Sequence, residues 1–139
     1  MKTWDEWRVG DALETNHFGE VSRTDVVRYQ GASGDMNPIH HDEPFAKAAG
    51  YPAPLVVGMF QAGALAAWAA GVFGPETTRR TRIRWQARVW PGDRLVFTGN
   101  VTKRHEEAGE QLIDVELWCH KDDGELCVTA WMTFAKATA

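Results

Sequence analysis

The stretch that decides the fold is Gly58-Met-Phe-Gln-Ala-Gly-Ala-Leu-Ala-Ala-Trp-Ala-Ala-Gly-Val72, which carries no charged side chain. Alanine recurs through it, and bulk comes from Met59, Phe60, Leu65 and Trp68. A helix without a polar face has to be enclosed by something, and its small residues let a wrapping sheet approach closely. We therefore predict a central helix over 58–72 in the core of the fold.

The low charge of the same region is also typical of a membrane span, because 53–78 holds only one charged residue, Glu76. About 20 apolar residues are enough to cross a bilayer. Pro54, Gly74 and Pro75 interrupt the region, however, and alanine dominates its middle. A buried core helix explains the composition better, and we expect no membrane association.

Downstream of the helix, hydrophobic residues recur at every second position. Alternation runs over 80–89, where one face carries Thr81, Ile83, Trp85, Ala87 and Val89, and the other carries Arg80, Arg82, Arg84, Gln86 and Arg88. Further alternating strands are predicted at about 95–101, 110–120 and 125–136. Strands with one polar face indicate an antiparallel sheet that is packed on one side. The expected fold is α+β, with a curved antiparallel sheet wrapped around the long central helix in one domain spanning 1–139.

Upstream of the helix, shorter elements are predicted. Residues 8–19 resemble an opening strand or extended segment. Residues 22–25 offer two possible N-caps for a helix that Gly34 ends. An irregular loop over 35–42 precedes a short helix over 44–49, which we expect Asp42 to cap.

The composition limits the classes of binding partner that are expected. The net charge is −4 across 139 residues, with no basic tail, which argues against nucleic acid. The first six residues lack the basic end and apolar run of a signal peptide, so a cytoplasmic location is expected. Strict alternation puts Cys119 and Cys127 on opposite strand faces, so free thiols are predicted.

The segment from Tyr29 to Asp42, Tyr-Gln-Gly-Ala-Ser-Gly-Asp-Met-Asn-Pro-Ile-His-His-Asp, carries the polar chemistry. Pro38 stiffens this loop and excludes Asn37 from helical geometry, while the Asn37 side chain can hold the turn. A carboxylate from Asp35 and an imidazole from His40, aimed at one water molecule, make a general acid–base pair. Imidazole suits this role because it changes charge near neutral pH.

The predicted central helix begins beside a second functional group, the backbone amide of Gly58. The first amides of a helix have no partner within the helix, and the helix dipole places partial positive charge there. A thioester carbonyl that becomes enolate-like would be stabilised by such a donor. Glycine has no side chain to block the approach.

Residues 29–60 closely resemble the MaoC-like (R)-specific enoyl-CoA hydratase and (3R)-hydroxyacyl dehydratase family, whose members have the hot-dog fold. The resemblance includes the Tyr-to-Gly-Asp-x-Asn-Pro-x-His run and continues to Gly58-Met59. A weaker match is the strand 83–93, which ends in Pro-Gly-Asp. Many relatives have His where this chain has Val57, a departure that bears on substrate shape more than on the reaction.

The resemblance implies a homodimer or higher homo-oligomer that acts on an acyl-CoA or acyl-carrier-protein thioester without a metal or organic cofactor. It implies catalytic roles for Asp35 and His40 and an oxyanion role for the Gly58 amide. Supporting roles are expected for Asn37, Pro38 and Tyr29, and substrate contacts for Val57, Met59, Phe60 and Arg84.

Other interpretations of the same residues stay open. Asp35 and His40 could be a loop cap and a surface histidine, and Tyr29 could anchor its helix in the core. The arginine row could be a solvated face, or one or two of its members could grip the phosphates of CoA or phosphopantetheine. His41 and Asp42 next to His40 suggest a metal site, but adjacent residues rarely point at one ion and no further His/Cys cluster completes a ligand set.

Three functions are compatible with these patterns. The first is a hydratase or dehydratase that acts on the 2,3 double bond of an enoyl thioester to give the (R)-3-hydroxy product. The second is a hot-dog thioesterase, and the third is a non-catalytic subunit that completes another chain's acyl tunnel. The loop with both Asp35 and His40 favours the first.

Overall fold

A computed structural model describes residues 2–137. It contains three α-helices, α1 (Arg23–Ser33), α2 (Glu43–Ala48) and α3 (Gly58–Phe73). Its strands are β1 (Asn16–Glu20), β2 (Thr78–Trp85), β3 (Arg94–Glu107), β4 (Glu110–Lys121) and β5 (Leu126–Ala135). Short 3₁₀ turns lie at Trp4–Glu6, Pro38–His40 and Pro75–Thr77. The predicted α+β class is confirmed.

The five strands form one antiparallel sheet in the order β1-β3-β4-β5-β2. The meander β3-β4-β5 occupies its centre, because consecutive antiparallel strands can be joined by tight turns. Strands β1 and β2 lie at the two edges, so that β2 pairs with β5 alone. Helix α3, which leads into β2, packs against β2, β4 and β5.

The core lies between α3 and the inner face of the sheet. Leu65 of α3 is fully buried, as are Phe97, Leu117 and Phe134 of the three central strands. The Phe73 ring at the end of α3 stacks on Phe134 with 4.8 Å between centroids. The predicted helix and its packing against a sheet are therefore confirmed.

Enclosure of α3 is one-sided, however. Its buried positions are Gln61, Ala62, Leu65 and Ala69, which lie on one face. Met59, predicted to add bulk to the core, is 47% exposed. Within the described residues the five-stranded sheet covers one side of the helix, and Met59 on the other side is left uncovered.

Strand β2 is shorter than its alternating sequence predicts. It ends at Trp85, because the amides of Gln86 and Ala87 both bond to the Cys127 carbonyl and break the regular register. The chain then bends, and Val89 accepts a backbone hydrogen bond from Val56. The extension of the strand over 86–89 is wrong, and this bend brings 85–89 beside the start of α3.

The upstream helices follow their capping signals. Ser22 caps α1 by accepting a hydrogen bond from the Asp25 amide, and Gly34 ends the helix with a φ of 78°. Asp42 caps α2 through the Phe45 amide at 3.0 Å, as predicted. These three helix ends are set by local hydrogen bonds that short sequence patterns predict.

The two cysteines are free, buried thiols, as predicted. Their assignment to opposite faces is wrong, because Cys119 pairs with Val128 and His120 with Leu126, which leaves Cys127 as the extra residue of a bulge. Hydrogen bonding with Cys127, together with burial, raises the pKa of the Cys119 thiol. Among the described residues, no helix is both long and apolar enough to cross a bilayer.

Candidate active site

The polar loop after α1 is shaped by its own side chains. Asn37 has a φ of −57° and a ψ of 123°, outside the helical region as expected before a proline, and its side-chain oxygen accepts from the Ile39 amide at 3.1 Å. Pro38 then begins a 3₁₀ turn that ends at His40. The Asn37 amide donates to Asp35 Oδ1 at 3.3 Å, which fixes one carboxylate oxygen.

The side chain of Gln30, in α1, anchors this loop. Its side chain is buried, and its Nε2 donates to the carbonyls of Asp35 at 2.8 Å and Asn37 at 3.2 Å. Its Oε1 lies 3.1 Å from His41 Nδ1. Sequence reasoning missed this residue, although an amide at a helix end next to a polar loop is a usable signal.

His40 is anchored by the segment that leads to α3. Its Nδ1 lies 2.7 Å from the carbonyl oxygen of Leu55, whose amide donates to the Ile39 carbonyl at 3.2 Å. A carbonyl oxygen can only accept, so Nδ1 carries the hydrogen and Nε2 of the neutral ring is free to accept. The His40 side chain is 10% exposed.

Asp35 and His40 converge, as the loop predicts. Asp35 Oδ2 lies 4.0 Å from His40 Nε2, and the Asp35 side chain is 45% exposed. That distance is too long for a direct hydrogen bond, and one water oxygen can bond to both atoms. The pair can therefore hold a water between an acceptor nitrogen and a carboxylate.

A cavity of about 300 Å³ opens beside His40. It is lined by His40, Leu55, Val56, Gly58, Gln61, Trp85, Gln86, Ala87, Arg88 and Val89. Gly58 is the first residue of α3, and the helix begins without a side-chain cap. The start of the helix and the imidazole thus face the same space, and the Gly58 amide has no acceptor within its own helix.

Trp85 fixes the start of α3. Its indole Nε1 donates to the Gly58 carbonyl oxygen at 2.8 Å. A Cβ on residue 58 would lie 3.3 Å from that nitrogen, which is a tight contact. Sequence reasoning placed Trp85 on an inward strand face and missed this contact, which depends on where β2 ends.

The remaining predicted site residues lie around the cavity rather than in its wall. Tyr29 packs edge-to-face on Phe60 with 5.6 Å between ring centroids, which fits the anchoring interpretation of Tyr29. Val57 is buried before the helix, and Met59 points to the exposed side. Arg84 is exposed on β2. Substrate contacts by these residues stay predictions.

In the part of the chain from 2 to 137, no group of three or more His, Cys, Asp or Glu side chains is arranged to hold an ion. His41 is exposed and its Nδ1 contacts Gln30 rather than pointing with His40 toward one centre.

A curved antiparallel sheet around a central helix, with a polar loop beside the start of that helix, defines the hot-dog class of proteins. The chain belongs to the family described as the MaoC like domain, whose model matches residues 6–121.

Relatives share most of the chain's length. A UPF0336 protein of Streptomyces avermitilis is 31% identical over 136 residues, which cover 91% of this chain and 90% of that protein. The mitochondrial 3-hydroxyacyl-[acyl-carrier-protein] dehydratase of Arabidopsis thaliana is 27% identical and matches 87% of this chain and 72% of its own length. R-hydratase PhaJ1 from Pseudomonas aeruginosa has the same fold, with a TM-score of 0.80 at 20% identity, covering 96% of this chain and 85% of that chain.

Proposed function

We propose that the protein is a hydro-lyase that reversibly adds water across the 2,3 double bond of an enoyl thioester to give the (R)-3-hydroxyacyl thioester. The observation that carries this proposal is the 4.0 Å separation of Asp35 Oδ2 and His40 Nε2 beside a cavity whose wall includes Gly58. The hydratase and dehydratase names of the relatives support the reaction class, and the (R) configuration rests on the family resemblance.

In this reaction His40 acts as the general base. Its Nε2 takes one proton from the bridging water as the water oxygen bonds to C3 of the enoyl group. The second hydrogen of that water bonds to Asp35, which orients it and stabilises the imidazolium that forms. Because the Leu55 carbonyl holds Nδ1, the acceptor nitrogen faces the water.

The electrons of the double bond move toward the thioester as C3 is attacked. Negative charge develops on the carbonyl oxygen, and the Gly58 amide donates a hydrogen bond to it. C2 then takes a proton from the imidazolium, so the elements of one water are added and His40 returns to its neutral form. Dehydration is the same sequence in reverse, and each step uses groups of this chain.

The substrate is proposed to be an acyl-CoA or acyl-carrier-protein thioester, taken up by a homodimer or higher homo-oligomer. Two features support assembly. Within residues 2–137, strand β2 pairs on one side only, and its other edge is a template for pairing with a second sheet. The face of α3 away from the sheet leaves apolar side chains uncovered, which favours an isologous contact.

The decisive experiment incubates the purified protein with crotonyl-CoA and follows two signals. Hydration lowers the enoyl absorbance without releasing thiol and yields (R)-3-hydroxybutyryl-CoA on chiral analysis. Thiol release without loss of the enoyl group would instead establish a thioesterase. A folded protein that turned over no enoyl-CoA of any chain length would be a non-catalytic subunit.

A further inference from the structure

Gln61 is a polar residue in an otherwise apolar helix. It lies one turn beyond Gly58, and residues three apart share a helix face. Its side chain is 2% exposed, and it lines the same cavity as His40 and Gly58. Among the described residues, no group donates a hydrogen bond to its Oε1.

This acceptor differs from its polar neighbours in the cavity wall, each of which contacts a protein group. Those contacts are His40 with Leu55, Trp85 with Gly58, Gln86 with Thr129 and Arg88 over the Tyr51 ring. Buried polar groups in proteins are nearly always hydrogen-bonded. An aliphatic residue would satisfy the packing of this position, whose helical neighbours Ala62 and Leu65 are fully buried.

We infer that the Gln61 amide binds a hydroxyl group on the acyl chain of the substrate, beyond the carbons that react. This inference rests on the proposed function, which places the thioester carbonyl at the Gly58 amide and C3 at Asp35 and His40. Three residues of helix rise about 4.5 Å, so an acyl chain that runs from Gly58 along this face of α3 meets Gln61 a few carbons beyond the carbonyl. The preferred substrates are therefore hydroxylated acyl thioesters rather than plain hydrocarbon ones.

The physical basis is that a hydrocarbon acyl chain and a hydroxylated acyl chain affect the buried Gln61 amide differently. A hydrocarbon chain that fills the cavity offers no donor, so the buried Gln61 oxygen stays unpaired. A hydroxyl supplies that donor and can accept from the amide Nε2. A site built around such a bond discriminates strongly against an analogue that lacks the group.

The test is a binding measurement, so that it does not depend on catalysis. Saturated pairs are titrated by calorimetry, hexanoyl-CoA against 6-hydroxyhexanoyl-CoA and octanoyl-CoA against 7-hydroxyoctanoyl-CoA. Gln61→Met keeps the length of the side chain and removes the amide. Gln111→Met, on the exposed part of β4, is the matched control.

At least one hydroxylated ligand should bind the wild type about 10-fold or more tightly than its parent, and Gln61→Met should abolish or reverse that preference. Gln111→Met should keep it. Equal binding of both members of each pair by the wild type, or a preference unchanged in Gln61→Met, overturns the inference even if crotonyl-CoA is hydrated. Conversely, a hydroxyl preference without hydration overturns the proposed reaction and leaves the inference standing.

Discussion

The indole Nε1 of Trp85, the last residue of β2, donates a 2.8 Å hydrogen bond to the carbonyl oxygen of Gly58, the first residue of α3. The bond joins the edge of the sheet to the helix start whose amide is proposed to bind the thioester oxygen. Trp85 thereby acts as a positioning residue, since it contacts the Gly58 carbonyl rather than the reacting atoms.

Replacing Trp85 with Phe removes the donor and keeps an aromatic ring. We expect kcat for crotonyl-CoA to fall about 5- to 10-fold, because a neutral hydrogen bond contributes about 1 kcal/mol. The melting temperature should change little, since Trp85 is 47% exposed. Trp118→Phe, on β4, is the control for loss of an indole, and an unchanged kcat in Trp85→Phe would refute the positioning role.

Gly58 and Gly63, both in α3, provide a test variant and its matched control. Gly63→Ala adds a methyl group with nothing within 4 Å and should stabilise the helix by about 0.4–1 kcal/mol. Gly58→Ala places Cβ 3.3 Å from Trp85 Nε1, so the indole must shift and hydration should drop.

The double variant Gly58→Ala/Trp85→Phe checks this interpretation. Both changes disturb one contact, so the double variant should lose less activity than the product of the single losses. Fully multiplicative losses would show that the two residues act independently.

Gln30 supports the loop through two backbone carbonyls. Gln30→Leu should destabilise the protein by about 1–3 kcal/mol, because those carbonyls lose a buried donor. Urea unfolding measures the change, and Gln111→Leu on the exposed part of β4 serves as control. Equal midpoints for Gln30→Leu and the wild type would show that the loop holds its own shape.

The capping box of α1 predicts a pH dependence. The hydrogen bond from the Ser22 hydroxyl, and after it the hydrogen bond from the Ser22 amide, lowers the pKa of Asp25 below its usual value. The carboxylate therefore contributes stability above the unfolded pKa, about 3.9, and this contribution is lost as pH falls through the lower folded pKa.

Asp25→Asn should accordingly flatten the decline of unfolding free energy below about pH 4. Ser22→Ala should flatten it too and cost about 1 kcal/mol at neutral pH. Chemical unfolding between acid and neutral pH measures both effects. If the unfolding free energies of the wild type and Asp25→Asn fell in parallel below about pH 4, the proposed role of the α1 capping box would be contradicted.

Local patterns were sufficient to predict much of this molecule. Helix α1 follows from Ser22 and Gly34, α3 from its uncharged, largely apolar run, and the β3-β4-β5 meander from alternation. The loop could be predicted because Asn37 and Pro38 restrict the backbone between Asp35 and His40. In each case the sequence signal lies within a short stretch of the chain.

The parts that could not be predicted depend on contacts between distant segments. Leu55 holds His40 across 15 residues and Trp85 reaches Gly58 across 27. The end of β2 is set by the Cys127 carbonyl on the neighbouring strand, and Cys127 itself sits in a bulge that alternation does not reveal.

The central claim is that Asp35 and His40 act together on one water molecule. Its most direct test is the initial rate of crotonyl-CoA hydration by Asp35→Asn and His40→Gln, with His17→Gln and Asp123→Asn at exposed positions as controls. We predict that each of the first two lowers kcat by about 10²–10⁴, that both keep the wild-type circular dichroism spectrum, and that the controls retain full activity. Near-normal hydration by either folded variant would contradict the account.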